Sequence, residues 1–462
     1  MMRKRKKKKN NFWIGLAGSL LLLTVLLVVY QYQGASQEGL SSQDKHQGSH
    51  TQEPSDSGPD ADGGSGQGTK GLEDGQASKG DASGQREDGA EAGQEQNNTG
   101  IETAAQGDSG DALQKKVQEK LSSMSLEEKV AQLFLITPEA LTGAGTVTQA
   151  GDATKAALDQ YPVGGLIYFQ GNIVSEQQVT EMIQKQQQFS QERIGLPLLI
   201  SVDEEGGQVT RVASCANIDV PKFEDNAQIG ASGDLSRAYD SGDSIGAYLS
   251  RMGFNLDFAP VADTLTNPDN TVVKRRSYGS DPQTVAEMAV QNLQGLESHQ
   301  VYGCIKHFPG HGATLGDTHN GYAYTNKTWE ELKVSDVIPF QRCIEQGISF
   351  VMVGHISLPQ AIGGDVPASC SQEVVQGYLR GELGYDGIVL TDALNMGAIV
   401  EQYTSAQAAV KALQAGNDML LMPSDFRSAY QGVLDAIGQG ALSEERVDES
   451  AARILKAKMG MQ

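Results

Sequence analysis

From Leu133 onward, eight short apolar runs recur in this chain, separated by stretches that read as amphipathic helices. The runs cover 133–136, 165–169, 198–202, 256–259, 301–305, 350–353, 387–390 and 419–421. Each is nearly continuous in apolar residues rather than alternating, so both faces must be covered. Strands of that kind form parallel sheets beneath helices. Eight of them in one stretch predict an α/β fold, a (β/α)8 TIM-like barrel in a single domain. An open doubly wound sheet is the alternative. Helix starts support the alternation: Ser125 with Glu128, Ser175 with Gln178 and Thr328 with Glu331 are spaced as capping boxes. No GxGxxG follows an early strand and no GxxxxGK[ST] loop occurs, so nucleotide binding is not predicted.

The region ahead of these runs reads differently. Residues 1–11 are strongly basic, and 12–30 carry no charge around an LLLLTVLLVV centre. That length suits one helical bilayer crossing, and the basic tail should remain in the cytoplasm. Residues 31–110 are rich in Gly, Ser, Gln, Asp and Glu, too poor in apolar surface to offset chain entropy. They are expected to be a disordered tether, with the barrel at 111–462. The expected location is the cell membrane, single-pass, with the barrel outside; cleavage of the first segment would make the protein secreted. A formal net charge of -22 argues against a nucleic-acid partner. A monomer is expected. The four cysteines lack CxxC spacing, so no thiolate metal site is predicted. Outside the cytoplasm disulfides are possible, but Cys304 in a predicted strand and Cys343 in a predicted helix read as buried free thiols.

Polar residues gather just after the apolar runs. Asp203-Glu-Glu follows LLISV, Asp263 follows FAPVA with Arg276 on the same loop, His355 follows FVMVG, and Asp392 follows GIVLT. The densest stretch is KHFPGHGATLGDTH, from Lys306 to His319. Its glycines let the backbone bend and a ligand approach closely. Asp317 stands two residues before His319, close enough to orient its imidazole for proton transfer. One acid after a strand is an ordinary helix cap. Five such positions, all at the end of a barrel where strand C-termini open, point to an active site. A carboxylate at Asp392 with a proton carrier at His319 is the layout of a retaining glycosidase, with a neutral imidazole where most such enzymes place a second carboxylate. Arg211, Arg276 and Lys306 can hold hydroxyl-rich or anionic groups. No metal or cofactor is expected, because ligand spacings such as HExxH are missing. An opportunistic zinc site at His307, His311 and His319 is the exception considered.

The motifs KHFPGHG, DTH and TDALNM, with DEEGGQVTR, NLDFAPVADT and RRSYG, resemble glycoside hydrolase family 3 in its β-N-acetylglucosaminidase (NagZ-like) branch. The resemblance runs from about Leu113 to the C-terminus. It implies a double displacement at a terminal β-linked N-acetylglucosamine, such as cell-wall fragments carry. It implies Asp392 as nucleophile, His319 as general acid/base and Asp317 as its partner. It implies Asp203, Arg211, Arg276, Lys306 and His307 as sugar-binding positions, with His311 at a further motif position. Gln208 and Ala393 depart from residues common in the family, arginine and a second acid respectively. The alternatives kept open are a β-N-acetylglucosaminide phosphorylase, another β-glycosidase such as a β-glucosidase, and a non-catalytic glycan-binding surface protein. The chain ends soon after its last predicted helix, which matches the single-domain form of the branch.

Overall fold

A computed structural model describes residues 99–319 and 321–461. The expected membrane segment 12–30 and most of the expected tether lie outside the described residues. Among the described residues no helix is long and apolar enough to cross a membrane. The first described helix, Thr99–Ser123, overlaps the last residues assigned to the tether.

A strand begins in each of the eight apolar runs: β1 Phe134–Ile136, β2 Gly165–Ile167, β3 Leu199–Val202, β4 Leu256–Asp257, β5 Tyr302–Phe308, β6 Phe350–Val353, β7 Ile388–Thr391 and β8 Leu420–Leu421. All pair in parallel, in the order β7-β6-β5-β4-β3-β2-β1-β8. A parallel bridge between Leu390 and Met419 brings β7 to β8, so the eight-stranded sheet curls into a nearly closed barrel. The open-sheet alternative is thereby set aside. Strand residues are almost all buried, as double-sided coverage by helices demands. Each fully buried Leu, Ile or Phe in them contributes about 1.5–3 kcal/mol through lost contact with water.

The three capping boxes form as their spacing predicts. Ser125 caps Leu126–Gln132, Ser175 caps Glu176–Ile194 and Thr328 caps Trp329–Lys333. Such caps start the helices that return the chain to the next strand. β5 differs from its sequence-based bounds. It was expected to end at Ile305, but it continues through Lys306 and His307 to Phe308. A register irregularity between Ile305 and Phe308 lets Phe308 still pair with Val353. The cause is apolar: the Phe308 ring packs edge-on against Phe340, with centroids 5.4 Å apart, and against Trp329 at 6.5 Å.

The seam between β7 and β8 rests on one buried acid. Asp418, fully buried just ahead of β8, accepts the Val389 amide at 2.9 Å and the Ser450 hydroxyl at 2.8 Å. Three guanidinium groups surround it: Arg380 at 2.5 Å, Arg453 at 3.2 Å and Arg446 at 3.3 Å. Arg446 and Arg453 come from the helix Glu444–Gly460. All four cysteines are free thiols; Cys215, Cys304 and Cys343 are buried and Cys370 is half-buried.

Candidate active site

Because all eight strands run the same way, the residues that follow them meet at one mouth. A cavity of about 270 Å³ opens there. Asp203, Arg211, Arg276, Lys306, His307, His319 and Asp392 all line it. Apolar wall comes from Ile167, Phe169, Met352, Met396 and Leu421.

One side of the cavity is a lattice of charges. Lys306 is 2% exposed, with Nζ 2.8 Å from Asp203 Oδ1 and 2.6 Å from Glu205 Oε1. Arg276 grips Glu205 with two parallel bonds, Nε to Oε2 at 2.8 Å and Nη2 to Oε1 at 2.7 Å. Burial pushes the Glu205 carboxyl up, but Arg276 and Lys306 outweigh it and hold the group well below the usual carboxylate range. Burial likewise works against the charge on Lys306; Asp203 and Glu205 outweigh that and raise its pKa above the ordinary value. Arg211 reaches Asp203 at 3.7 Å and lies over the Phe169 ring, 5.5 Å from its centre. Two carboxylates thus face three cations, a set of fixed donors and acceptors suited to hydroxyl-rich ligands.

Between Asp203 and Glu205, Glu204 turns away. Its carboxylate accepts the backbone N–H groups of Arg211, Val212 and Ala213 at 2.6, 2.8 and 2.9 Å, and the Tyr248 hydroxyl at 2.8 Å. It therefore shapes the loop that carries Arg211. Asp263 does similar work after β4. It accepts the His307 ring N–H at 2.7 Å and the amides of His307 and His311 at 3.1 and 2.6 Å. A carboxylate can only accept, so His307 Nδ1 carries the hydrogen. His307 Nε2 stands 3.5 Å from Arg276 Nη2.

The glycines of the 306–319 stretch are required by close approach. At Gly310, with φ of +135°, a Cβ would come within 2.6 Å of the Asp336 Cβ; at Gly312 it would lie 1.9 Å from the Thr264 carbonyl oxygen. The loop they shape ends in the Asp317–His319 pair. Asp317 Oδ1 accepts both the His319 Nδ1–H at 2.8 Å and the His319 amide at 2.9 Å. Burial would raise the Asp317 carboxyl, but these two bonds outweigh it and hold the group below its ordinary value. With Nδ1 committed, Nε2 is the nitrogen left to move a proton. The His319 side chain is 58% exposed, so water can reach it.

His311 is placed differently from its motif neighbours. It is 1% exposed and does not line the cavity. Its Nδ1 meets the Thr314 hydroxyl at 2.8 Å and its Nε2 meets the Thr318 hydroxyl at 3.1 Å. Burial pushes its pKa down to about 4. Thr318 lies between Asp317 and His319, so His311 braces their loop rather than touching a ligand. With both ring nitrogens occupied it does not join His307 and His319 around a shared ion. Among the described residues no group of three or more His, Cys, Asp or Glu is placed to hold a metal.

Asp392 sits directly after β7, its amide donated to the Val353 carbonyl at 2.9 Å. Oδ1 accepts the Ala393 amide at 2.7 Å. Burial raises its carboxyl, yet His307, His355, the Ala393 bond and His319 together bring it down to about 2. The group is therefore ionised on the cavity wall, the state a carboxylate nucleophile needs.

The site includes residues that sequence reading left without a role. Glu205 is central to the charge lattice, and the signal was there: it stands two positions after Asp203. Asp263 and His355 were noted at strand ends but given no task. Their partners, the His307 ring and the Ala393 carbonyl, come from other strands and cannot be read from local spacing.

A model of the family described as glycosyl hydrolase family 3 N terminal domain matches residues 125–457. The chain is similar to "Beta-hexosaminidase LpqI" of Mycobacterium tuberculosis, 34% identical over 72% of this chain and 83% of that protein. It is 31% identical to "Beta-hexosaminidase A" of Pseudoalteromonas piscicida over 65% of this chain, a match that spans only 54% of the relative. Among solved structures it is similar to a glycoside hydrolase family 3 β-N-acetylglucosaminidase from a Paenibacillus strain, with 36% identity and a TM-score of 0.69. That match covers 73% of this chain and 63% of the other.

Proposed function

This chain belongs to glycoside hydrolase family 3, and on that premise we propose that it is a retaining exo-β-N-acetylglucosaminidase releasing terminal β-linked N-acetylglucosamine. The observation that carries this reading is the placement of Asp392 and His319 on the wall of one cavity, beside the lattice of Arg276, Glu205, Lys306 and Asp203. The names of the relatives, β-hexosaminidases and a β-N-acetylglucosaminidase, support it.

In the proposed reaction the sugar's hydroxyls engage Asp203, Lys306, Arg276, Arg211 and His307. The ionised Asp392 attacks the anomeric carbon as the bond to the leaving oxygen breaks. His319 Nε2–H gives its proton to that oxygen, and Asp317 balances the charge on the ring. A glycosyl ester on Asp392 results. Water then attacks the same carbon, His319 Nε2 takes its proton, and Asp392 leaves as a carboxylate. Two inversions give net retention. The aspartate–histidine pair replaces the second carboxylate, so the proton carrier itself brings no negative charge when its ring is neutral.

The proposed setting is the outer face of the cell membrane, with residues 12–30 as anchor, the 31–110 segment as spacer and cell-wall fragments as substrate. The basic–apolar N-terminal pattern motivates this. Release of the activity by membrane extraction but not by salt washing is expected, and recovery in the medium would overturn it.

The function itself is tested by incubating residues 99–462 with a chromogenic β-N-acetylglucosaminide. Trapping with a fluorinated N-acetylglucosamine analogue should label the peptide carrying Asp392. Failure of wild type to release the sugar, or a label elsewhere, would end this reading. A phosphorylase is the second reading, favoured by the exposed, non-carboxylate His319, which repels an anionic acceptor less. Formation of sugar 1-phosphate in phosphate buffer, with faster turnover than in its absence, would select it.

A further inference from the structure

The loop after β7 is pinned from a direction that the reaction itself does not require. His355 follows β6, is 1% exposed and does not line the cavity. Its Nε2 lies 3.0 Å from the Ala393 carbonyl oxygen, and its Nδ1 lies 2.7 Å from the Ser369 hydroxyl. A carbonyl can only accept, so Nε2 must carry the hydrogen. In the neutral ring Nδ1 is then the acceptor, and the Ser369 hydroxyl donates to it. That arrangement is the Nε2–H tautomer. Burial, which holds the His355 pKa below its ordinary value, favours the same state.

Ser369 is itself fixed. It is fully buried, its amide donates to Gly354 O at 3.2 Å, and its carbonyl accepts the Asn417 side-chain amide at 2.7 Å. His355 therefore stands on a rigid base. On its other side the relay continues to the reacting group. The peptide N–H before the Ala393 Cα binds Asp392 Oδ1 at 2.7 Å, and His355 holds the carbonyl after it. The next amide, Leu394 N–H, donates to Leu421 O at 2.8 Å. Both peptide planes flanking Ala393 are thus held, one by the nucleophile it serves and one by His355.

We propose that His355 is a positioning residue for the displacement: by clamping the Ala393 carbonyl it keeps the Ala393 N–H on Asp392 Oδ1 and so fixes the direction in which the other carboxylate oxygen meets the sugar. This rests on Asp392 being the nucleophile. His355 touches neither sugar nor leaving group, so its loss should act on the chemical step and leave binding alone. The side chain of Ala393 is a single methyl group. A methyl side chain offers no polar contact, so the main chain and its clamp do the holding there.

The test has three variants. His355→Phe keeps ring size and removes both bonds. His355→Gln can place its amide N–H near the Nε2 position and restore the bond to the Ala393 carbonyl. Ser369→Ala removes only the hydroxyl that meets Nδ1. For His355→Phe we expect kcat to fall about 10²-fold, as for a misplaced reacting group, with KM within about threefold of wild type. The rate of labelling by the fluorinated analogue should fall in parallel. His355→Gln should recover at least about tenfold of that loss, and Ser369→Ala should lie between it and wild type. Soluble, cooperatively melting protein establishes that each variant is folded; if His355→Phe does not fold, the Gln and Ala variants carry the test. A folded His355→Phe with wild-type kcat and labelling rate overturns the proposal, as does a His355→Gln no better than Phe. Wild-type protein labelled at Asp392 in the same experiment keeps the nucleophile assignment standing when the His355 proposal falls. Label on another residue removes both.

Discussion

The Nε2 atom of His311 lies 3.1 Å from the hydroxyl of Thr318, the residue wedged between Asp317 and His319. A fully enclosed imidazole thereby steadies the segment that carries the proton. His311→Ala should lower kcat about 10–10²-fold through a looser His319 while KM for the chromogenic substrate stays near wild type. The buried Thr314 and Thr318 hydroxyls lose a partner, which costs about 1–3 kcal/mol of stability. Steady-state kinetics and thermal melts check both. A raised KM with unchanged kcat would mean that His311 contacts the sugar after all.

Asp392→Asn removes the attacking charge and leaves the fold's contacts nearly unchanged. Activity should drop about 10⁴-fold, the scale seen when one member of a catalytic set is lost. The pH behaviour follows from Asp392 titrating near 2. Its carboxyl is depressed in the folded state, so its stabilising contribution is present above the unfolded value near 4 and is lost as pH falls through about 2. Between pH 3 and 8 any acid-side loss of kcat must come from another group, and His319 is the one that has to give and then take a proton. A bell-shaped kcat profile is expected, because one group must first give and then take a proton. A profile flat from pH 5 to 8 counts against His319 as the proton carrier.

Glu205 receives Lys306 at 2.6 Å and both nitrogens of the Arg276 fork; Glu205 and Lys306 are buried, and the Arg276 side chain is 10% exposed. Glu205→Gln would leave Lys306 paired with Asp203, and Arg276 with only the more distant charges of Asp263 and Asp203. We expect a loss of about 3–5 kcal/mol in unfolding free energy, the range for breaking a buried ion set from one side. Ligand protection against melting by N-acetylglucosamine should weaken as well. Urea unfolding within 1 kcal/mol of wild type would show that the lattice is not a stabilising unit.

Lys458 presents the opposite case. It is fully buried, its Nζ bonds the Gln132 side-chain oxygen at 2.7 Å, and burial depresses its pKa to about 7. Unfolded, the amine titrates near 10.4, so between those values the unfolded chain holds a proton that the folded one lacks. Stability should therefore rise with pH from about 7 to 10, by on the order of 1 kcal/mol per pH unit from this group. Lys458→Met should flatten that slope and melt higher at pH 7. Parallel slopes for the two proteins across pH 7–9 would refute this.

The barrel was readable because eight continuous apolar runs admit few arrangements, and the strand-end rule then carried Asp203, Arg276, Lys306, His307 and Asp392 to one mouth. Reading stopped short where the outcome depended on three-dimensional partners. His311 shares the motif of Lys306 and His307 yet turns to Thr314 and Thr318, and no local pattern tells a wall residue from a brace. Glu204 and Glu205 are chemically alike and adjacent. Only the positions of the 211–213 amides and of Arg276 send them to different tasks. Strand β5 outran its expected end because Phe308 found Phe340 and Trp329, partners contributed by later helices. Residues 1–98, where the anchor and most of the tether are expected, fall outside the described residues.

The buried Asp418 also says something about synthesis. Two of the three guanidinium groups around it, those of Arg446 and Arg453, belong to a helix translated after every strand. A nascent chain that has finished β8 but not yet exposed that helix carries the acid at its seam with Arg380 alone. Vectorial emergence from the ribosome therefore leaves the cylinder unlatched until the helix Glu444–Gly460 has followed the strands out.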